Sequence, residues 1–172
     1  IWDTRLPGRL DRRPAMQLGT QRFLEVVLDG GHNPDSLEAL ANQLQQWEIS
    51  GYTLIVGMAS DKLVEAAQVP LQTLVGQAQQ TLVVPIQSPR SATPEALTQF
   101  LGKANLLKAS RSLFHRGARG DFAIVGFPDL QAAFAKAGKH PQQPLVIPAA
   151  FSPVGQVPRT LVGPSPHKQL SC

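Results

Sequence analysis

Cysteine is nearly absent from this sequence: its one copy, Cys172, is the last residue. A disulfide framework within the chain and a cysteine metal site are thereby excluded, and a reducing compartment is compatible. Long apolar runs are also missing, since none approaches the roughly 18 to 20 residues that cross a bilayer. The first residues, IWDTRLPGR, lack the basic-then-apolar layout of a secretory signal. The expectation is a cytoplasmic protein without membrane contact. Charge is sparse as well, with 16% charged residues and Lys and Arg outnumbering Asp and Glu by 16 to 12. Basic residues gather at Arg5, Arg9, Arg12, Arg13 and again at Lys103, Lys108, Arg111, Arg116, Arg119. Such clusters serve phosphate-bearing small molecules or plain solvated surface as readily as nucleic acid, and no nucleic-acid partner is expected.

Motifs are missing in an informative way. There is no G-x-x-x-x-G-K-[ST] to cradle a nucleoside triphosphate and no G-x-G-x-x-G after the first apolar run, so the chain cannot grip a nucleotide by those means. His32, His115, His140 and His167 are widely spaced, and His32 with Asp29 makes only a two-ligand start on a metal site. No G-x-S-x-G elbow exposes a serine nucleophile.

What is present fits one α/β domain. At 172 residues and 42% hydrophobic content the chain can bury a real core. Strand-like apolar runs alternate with helical patterns. Residues 23–28 carry Val26, Val27 and Leu28 in succession, apolar on both faces as a central parallel strand is. From Pro34 a helix follows, with Leu37, Leu40, Ala41 and Leu44 on one side and an end expected near Ser50 and Gly51. A second strand spans 52–56. A short helix from Leu63 is expected to stop before Pro70, with another turn or two over 71–78. A third strand covers 81–86, and Thr93-Pro94-Glu95 opens the next helix with a capping residue and proline at its first position. A short strand at 121–125, a helix over 128–138 and a last strand at 144–147 complete the pattern. Prolines at 148, 153, 158, 164 and 166 make residues 151–172 an irregular or disordered tail. Alternation at this pitch predicts a Rossmann-like three-layer sandwich, a mainly parallel sheet with helices on both faces.

In such sheets ligands collect at the carboxyl ends of the strands. Three loops fall there: Asp29-Gly30-Gly31-His32-Asn33, residues 57–62 and residues 88–92. The first is richer in polar groups than a turn requires, because Asn33 and Pro34 alone cap and start a helix. Asp29 and Asn33 can tie the turn through backbone bonds, and His32 can cap or pack; the alternative is that these side chains face a ligand. Lys62 and Arg90 are read either as surface charges or as part of the same cleft. Met58 and Trp47 are expected in the core.

Leu6-Pro7-Gly8-Arg9-Leu10, Leu28-Asp29-Gly30-Gly31-His32-Asn33-Pro34, Gly57-Met58 with Asp61-Lys62, and Pro89-Arg90-Ser91-Ala92 resemble, in order and spacing, the C-terminal domain of folylpolyglutamate synthase and dihydrofolate synthase, members of the Mur ligase family. The likeness spans residues 5 to about 150, so 1–150 is expected to be such a domain excised from a longer chain, with a larger P-loop ATPase domain ahead of it. It implies an enzyme that uses ATP and magnesium to form an acyl phosphate on a folate or dihydropteroate carboxylate, which the amine of L-glutamate then attacks. ATP and Mg would be bound mainly by the missing N-terminal domain, and this domain would close over the nucleotide. Carried onto this sequence, Arg9 reaches the phosphates and Asp29 contacts the nucleotide, with His32 and Asn33 in reach of it. Lys62 and Arg90 fall on the cleft or glutamate side. The segment between Arg9 and Asp29 is longer than the family pattern, so an enlarged hairpin is expected there. Leu63 stands where a second acidic residue is usual. The other reading is a Rossmann-like binding or interaction module without catalysis.

Overall fold

A computed structural model of the chain describes residues 10–18, 20–111 and 123–148. Its elements run β1 (Asp11–Leu18), β2 (Gln21–Asp29), α1 (Pro34–Gln46), β3 (Tyr52–Val56), α2 (Glu65–Gln77), β4 (Ala78–Val83), α3 (Pro94–Arg111), β5 (Ala123–Gly126), α4 (Leu130–Ala137) and β6 (Leu145–Pro148). The six strands form one sheet in the order β1-β2-β6-β3-β4-β5. β1 and β2 are antiparallel, with Asp11 opposite Leu28 and Leu18 opposite Gln21, so the segment before Asp29 is a hairpin. Every other neighbouring pair is parallel. The fold is the mainly parallel α/β sandwich that the alternation predicts.

Period-2 alternation distributes the strand residues to two faces. Val27, Leu54, Val56, Val83 and Val146 pack with Leu40 and Leu44 of α1, Leu71 and Leu74 of α2, and Leu97 and Leu101 of α3. Their neighbours Val26, Ile55, Leu82, Leu145 and Ile147 pack on the other face with Ala133, Phe134 and Ala137 of α4. There the Phe23 and Phe134 rings meet with centroids 6.5 Å apart and planes tilted by 56°, an arrangement that aromatic quadrupoles favour. Met58 is buried in the first core and Trp47 packs against it.

Three expectations are corrected. The helix predicted to stop before Pro70 runs unbroken from Glu65 to Gln77. Pro70 cannot donate to the carbonyl of Ala66, but its ring is buried with Ala67, Leu71, Leu74 and Val75, and that packing outweighs the lost bond. Helix α1 ends at Gln46, four residues early. Glu48 adopts a left-handed φ of 56°, its N–H bonds Gln45 O and that of Ile49 bonds Leu44 O, a Schellman ending built without glycine. β4 begins at Ala78 directly from α2 and is over by Val83, because Pro85 has no N–H to offer and the Ile86 N–H turns to the Ser91 hydroxyl. The tail, residues 151–172, lies outside the described residues.

Candidate functional site

The parallel register brings the strand ends to one edge: Asp29 pairs with Pro148, Val56 with Val83, and Val83 with Gly126. The loops after β2, β3 and β4 therefore leave the sheet on the same side. Asp29 is the last residue of β2, and His32, Asn33, Lys62 and Arg90 sit on these loops.

The loop after β2 is built around its small residues. Asp29 is buried, and its Oδ1 accepts from the N–H of Gly31 at 2.9 Å. A Cβ on Gly31 would come within 2.2 Å of the Cβ of Ser36, so only glycine lets the chain fold back onto the first turn of α1. Asn33 Oδ1 then accepts from the N–H of Ser36 at 2.8 Å, capping a helix whose first residue is Pro34. Asp29 and Asn33 thus both perform the turn-forming work that their residue types allow. His32 stands exposed between them, beside the N-terminus of α1 where an anion is favoured.

The loops after β3 and β4 are joined to each other. Ala59 pairs antiparallel with Ser91. The N–H of Ser60 donates to Arg90 O at 2.7 Å, and the N–H of Ala92 to Met58 O at 2.8 Å. Ser60–Lys62 forms a single 3₁₀ turn, and the Asp61 carboxylate lies 3.8 Å from the Arg90 guanidinium. Both side chains of that pair are well exposed, at 48% and 75%, so it holds little energy and Arg90 can exchange Asp61 for another carboxylate. Lys62 and Arg90 are hence brought to one place on the edge. Sequence reasoning gave no role to Ser60 and Ser91, whose hydroxyls shape the two loops; the signal was a small hydroxyl residue inside each motif stretch.

Arg9 lies outside the described residues. Among the described residues no three of His, Cys, Asp and Glu converge where they could share a metal ion. Among them, too, no helix is long and apolar enough to cross a membrane.

Residues 10–146 match the family described as Mur ligase, glutamate ligase domain. No curated protein matches the sequence. Among solved structures the chain is similar to Mycobacterium tuberculosis folylpolyglutamate synthase complexed with ADP and AMPPCP, at 22% identity and a TM-score of 0.59, over 85% of this chain and 30% of that one. E. coli FolC in complex with DHPP and ADP matches at 21% identity and a TM-score of 0.57, over 87% of this chain and 29% of that one. The bifunctional folylpolyglutamate synthase/dihydrofolate synthase of Yersinia pestis, complexed with AMPPNP and Mn ion, matches at 22% identity and a TM-score of 0.52, over 86% and 29%. The chain thus spans under a third of the length of each, and at these identities the likeness is one of fold.

Proposed function

The chain belongs to the Mur ligase family, as its glutamate ligase domain, and from that premise we propose that residues 1–150 are the closing domain of an ATP-dependent folate–glutamate ligase, a folylpolyglutamate synthase or dihydrofolate synthase. In this reading a separate P-loop domain holds ATP and magnesium, and the site forms in the cleft between the two. The γ-phosphoryl group passes to the folate or dihydropteroate carboxylate, giving ADP and an acyl phosphate. The amine of glutamate then attacks the acyl carbon, the amide bond forms, phosphate leaves and the amine loses its proton.

This chain's part is to position and to neutralise. Arg9 offers a permanently charged planar fork of donors to the phosphates. Asp29 supplies a carboxylate at the strand end for the nucleotide's hydroxyls, and His32 and Asn33 lie beside the same ligand at the α1 N-terminus. Lys62 and Arg90 take the glutamate side, where two cations suit two carboxylates. A cytoplasmic location belongs to the same reading, supported by the lone Cys172. The observation that carries the proposal is the meeting of all three motif loops on one carboxyl edge of the parallel sheet.

The test is a paired one in the intact ligase, thermal unfolding and ATP kinetics on Arg9→Ala and Asp29→Asn. The asparagine keeps an oxygen acceptor for the N–H of Gly31 while removing the charge and exchanging the second carboxylate oxygen for an NH2 donor. Melting temperatures close to wild type, with kcat/KM for ATP lowered roughly 10- to 1,000-fold, are expected of a lost phosphate or nucleotide contact. Wild-type kinetics in both variants would remove Arg9 and Asp29 from the site and favour a binding module whose opening loop is only a well-capped turn.

A further inference from the structure

The loops after β3 and β4 are held together by bonds that neither the sheet nor the helices require. Residues 58–60 and 90–92 lie side by side as a short antiparallel ribbon, closed by Ser60 N–H to Arg90 O at 2.7 Å and Ala92 N–H to Met58 O at 2.8 Å. Two serine hydroxyls reinforce it. Ser60 Oγ donates to Arg90 O at 3.2 Å. Ser91 Oγ accepts from the Ile86 N–H at 2.9 Å and donates to Ala92 O at 3.0 Å, drawing in the start and end of its own loop. The Arg90 N–H bonds Ser88 Oγ at 3.2 Å, and the Lys62 N–H bonds Ala59 O at 3.0 Å. The backbone of Arg90 is thus part of a rung of the ribbon, and that of Lys62 is two residues from one.

We infer that Ser60 and Ser91 are positioning residues: the Ser60 hydroxyl clasps the loop after β3 to Arg90 O, the Ser91 hydroxyl holds the loop after β4 in the shape that meets it, and together they preset Lys62 and Arg90 as a pair of cations for a dicarboxylate amino acid. The inference rests on the glutamate-side reading of those two residues. Its physical ground is entropic. Two cations on independently mobile loops must both be ordered when the substrate binds, whereas a clasped pair has its loop ordering completed on folding. The clasp acts on the amino-acid substrate alone, because the loop of Asp29 and His32 is built by a separate set of bonds.

Ser60→Ala removes one hydroxyl bond and leaves the rung N–H in place, while Ser91→Ala removes two. In the intact ligase each should raise KM for glutamate about 3- to 10-fold, the size of a lost neutral hydrogen bond, with KM for ATP near wild type and the melting temperature lowered by no more than roughly 2 to 4 °C. Ser91→Thr keeps the hydroxyl and should restore KM. In the 172-residue chain, Ser91→Ala should speed amide exchange at Ile86, Ser60 and Ala92 by a similar factor and leave the β3 and β4 amides unchanged. If Lys62→Ala and Arg90→Ala raise the glutamate KM but Ser60→Ala and Ser91→Ala do not, the clasp is overturned and the proposed function stands. If Lys62→Ala and Arg90→Ala leave it unchanged, the glutamate-side reading fails and takes the clasp with it.

Discussion

At the scale of single residues, Asp29 and Asn33 make the bonds that shape their turn, and Tyr52 shows what full burial does to a polar group. It is fully buried, and its hydroxyl donates to Leu74 O at 2.7 Å, near the end of α2. Burial pushes its phenol well above the ordinary value of 10. Because the folded value is raised, the stabilisation is fully present below the unfolded value near 10 and is lost as pH rises past it. Tyr52→Phe should therefore cost about 0.5 to 1.5 kcal/mol at neutral pH, for the lost hydrogen bond, and the gap to wild type should close above about pH 10. Urea unfolding of both proteins across that range measures it. Tyr52 is the one tyrosine, so absorbance reports its ionisation alone, and a midpoint near 10 in the folded chain would refute the assignment. Gly31 teaches a related lesson. Its place in a polar loop was legible, but its contact with Ser36 was not, since that depends on where the helix sits.

At the scale of elements, starts were easier to read than stops. Asn33-Pro34 and Thr93-Pro94 announce α1 and α3 because the capping side chain and proline act within one turn, and both caps are made. The stops depended on packing. Pro70 is a breaker by local rule, yet α2 passes through it because the ring faces the core. Helix α1 was read to the Ser50-Gly51 pair, whereas Glu48 takes the left-handed position so that Ile49 is buried behind Leu44. That conformation disfavours a residue with a Cβ. Glu48→Gly should therefore stabilise the chain by up to about 1 kcal/mol, a rise in melting temperature of roughly 2 to 4 °C for a domain of this size. A fall in melting temperature would mean that Glu48 makes a contact worth more than its strain.

At the scale of the whole molecule, the arrangement separates support from chemistry. The sheet and its two cores occupy the interior, and the three motif loops share one edge. The chain has no P-loop motif, and among its described residues no three of His, Cys, Asp and Glu gather at one place. By itself it is expected to show neither ATP hydrolysis nor glutamate ligation. Purified 172-residue protein assayed for phosphate and ADP release should match a buffer control, and turnover above that control would overturn the division of labour between this domain and a P-loop partner.

The sequence by itself determined the class of fold, because alternating periods of 2 and 3.6 are properties of local geometry and appear wherever a strand or helix buries one face. It determined the three motif loops for the same reason: Asp29 to Asn33, Lys62 and Arg90 lie just past apolar runs, where strands end. What the tertiary structure decided was non-local. β6 was readable as a strand in "PLVI", but its insertion between β2 and β3 depends on pairing Val26 with Leu145 and Thr53 with Leu145, contacts between residues distant in the chain. The clasp of Ser60 and Ser91 is of the same kind. Neither serine shows its partner in its own stretch of sequence, and only the parallel register of β3 with β4 brings the two loops within a hydrogen bond of each other.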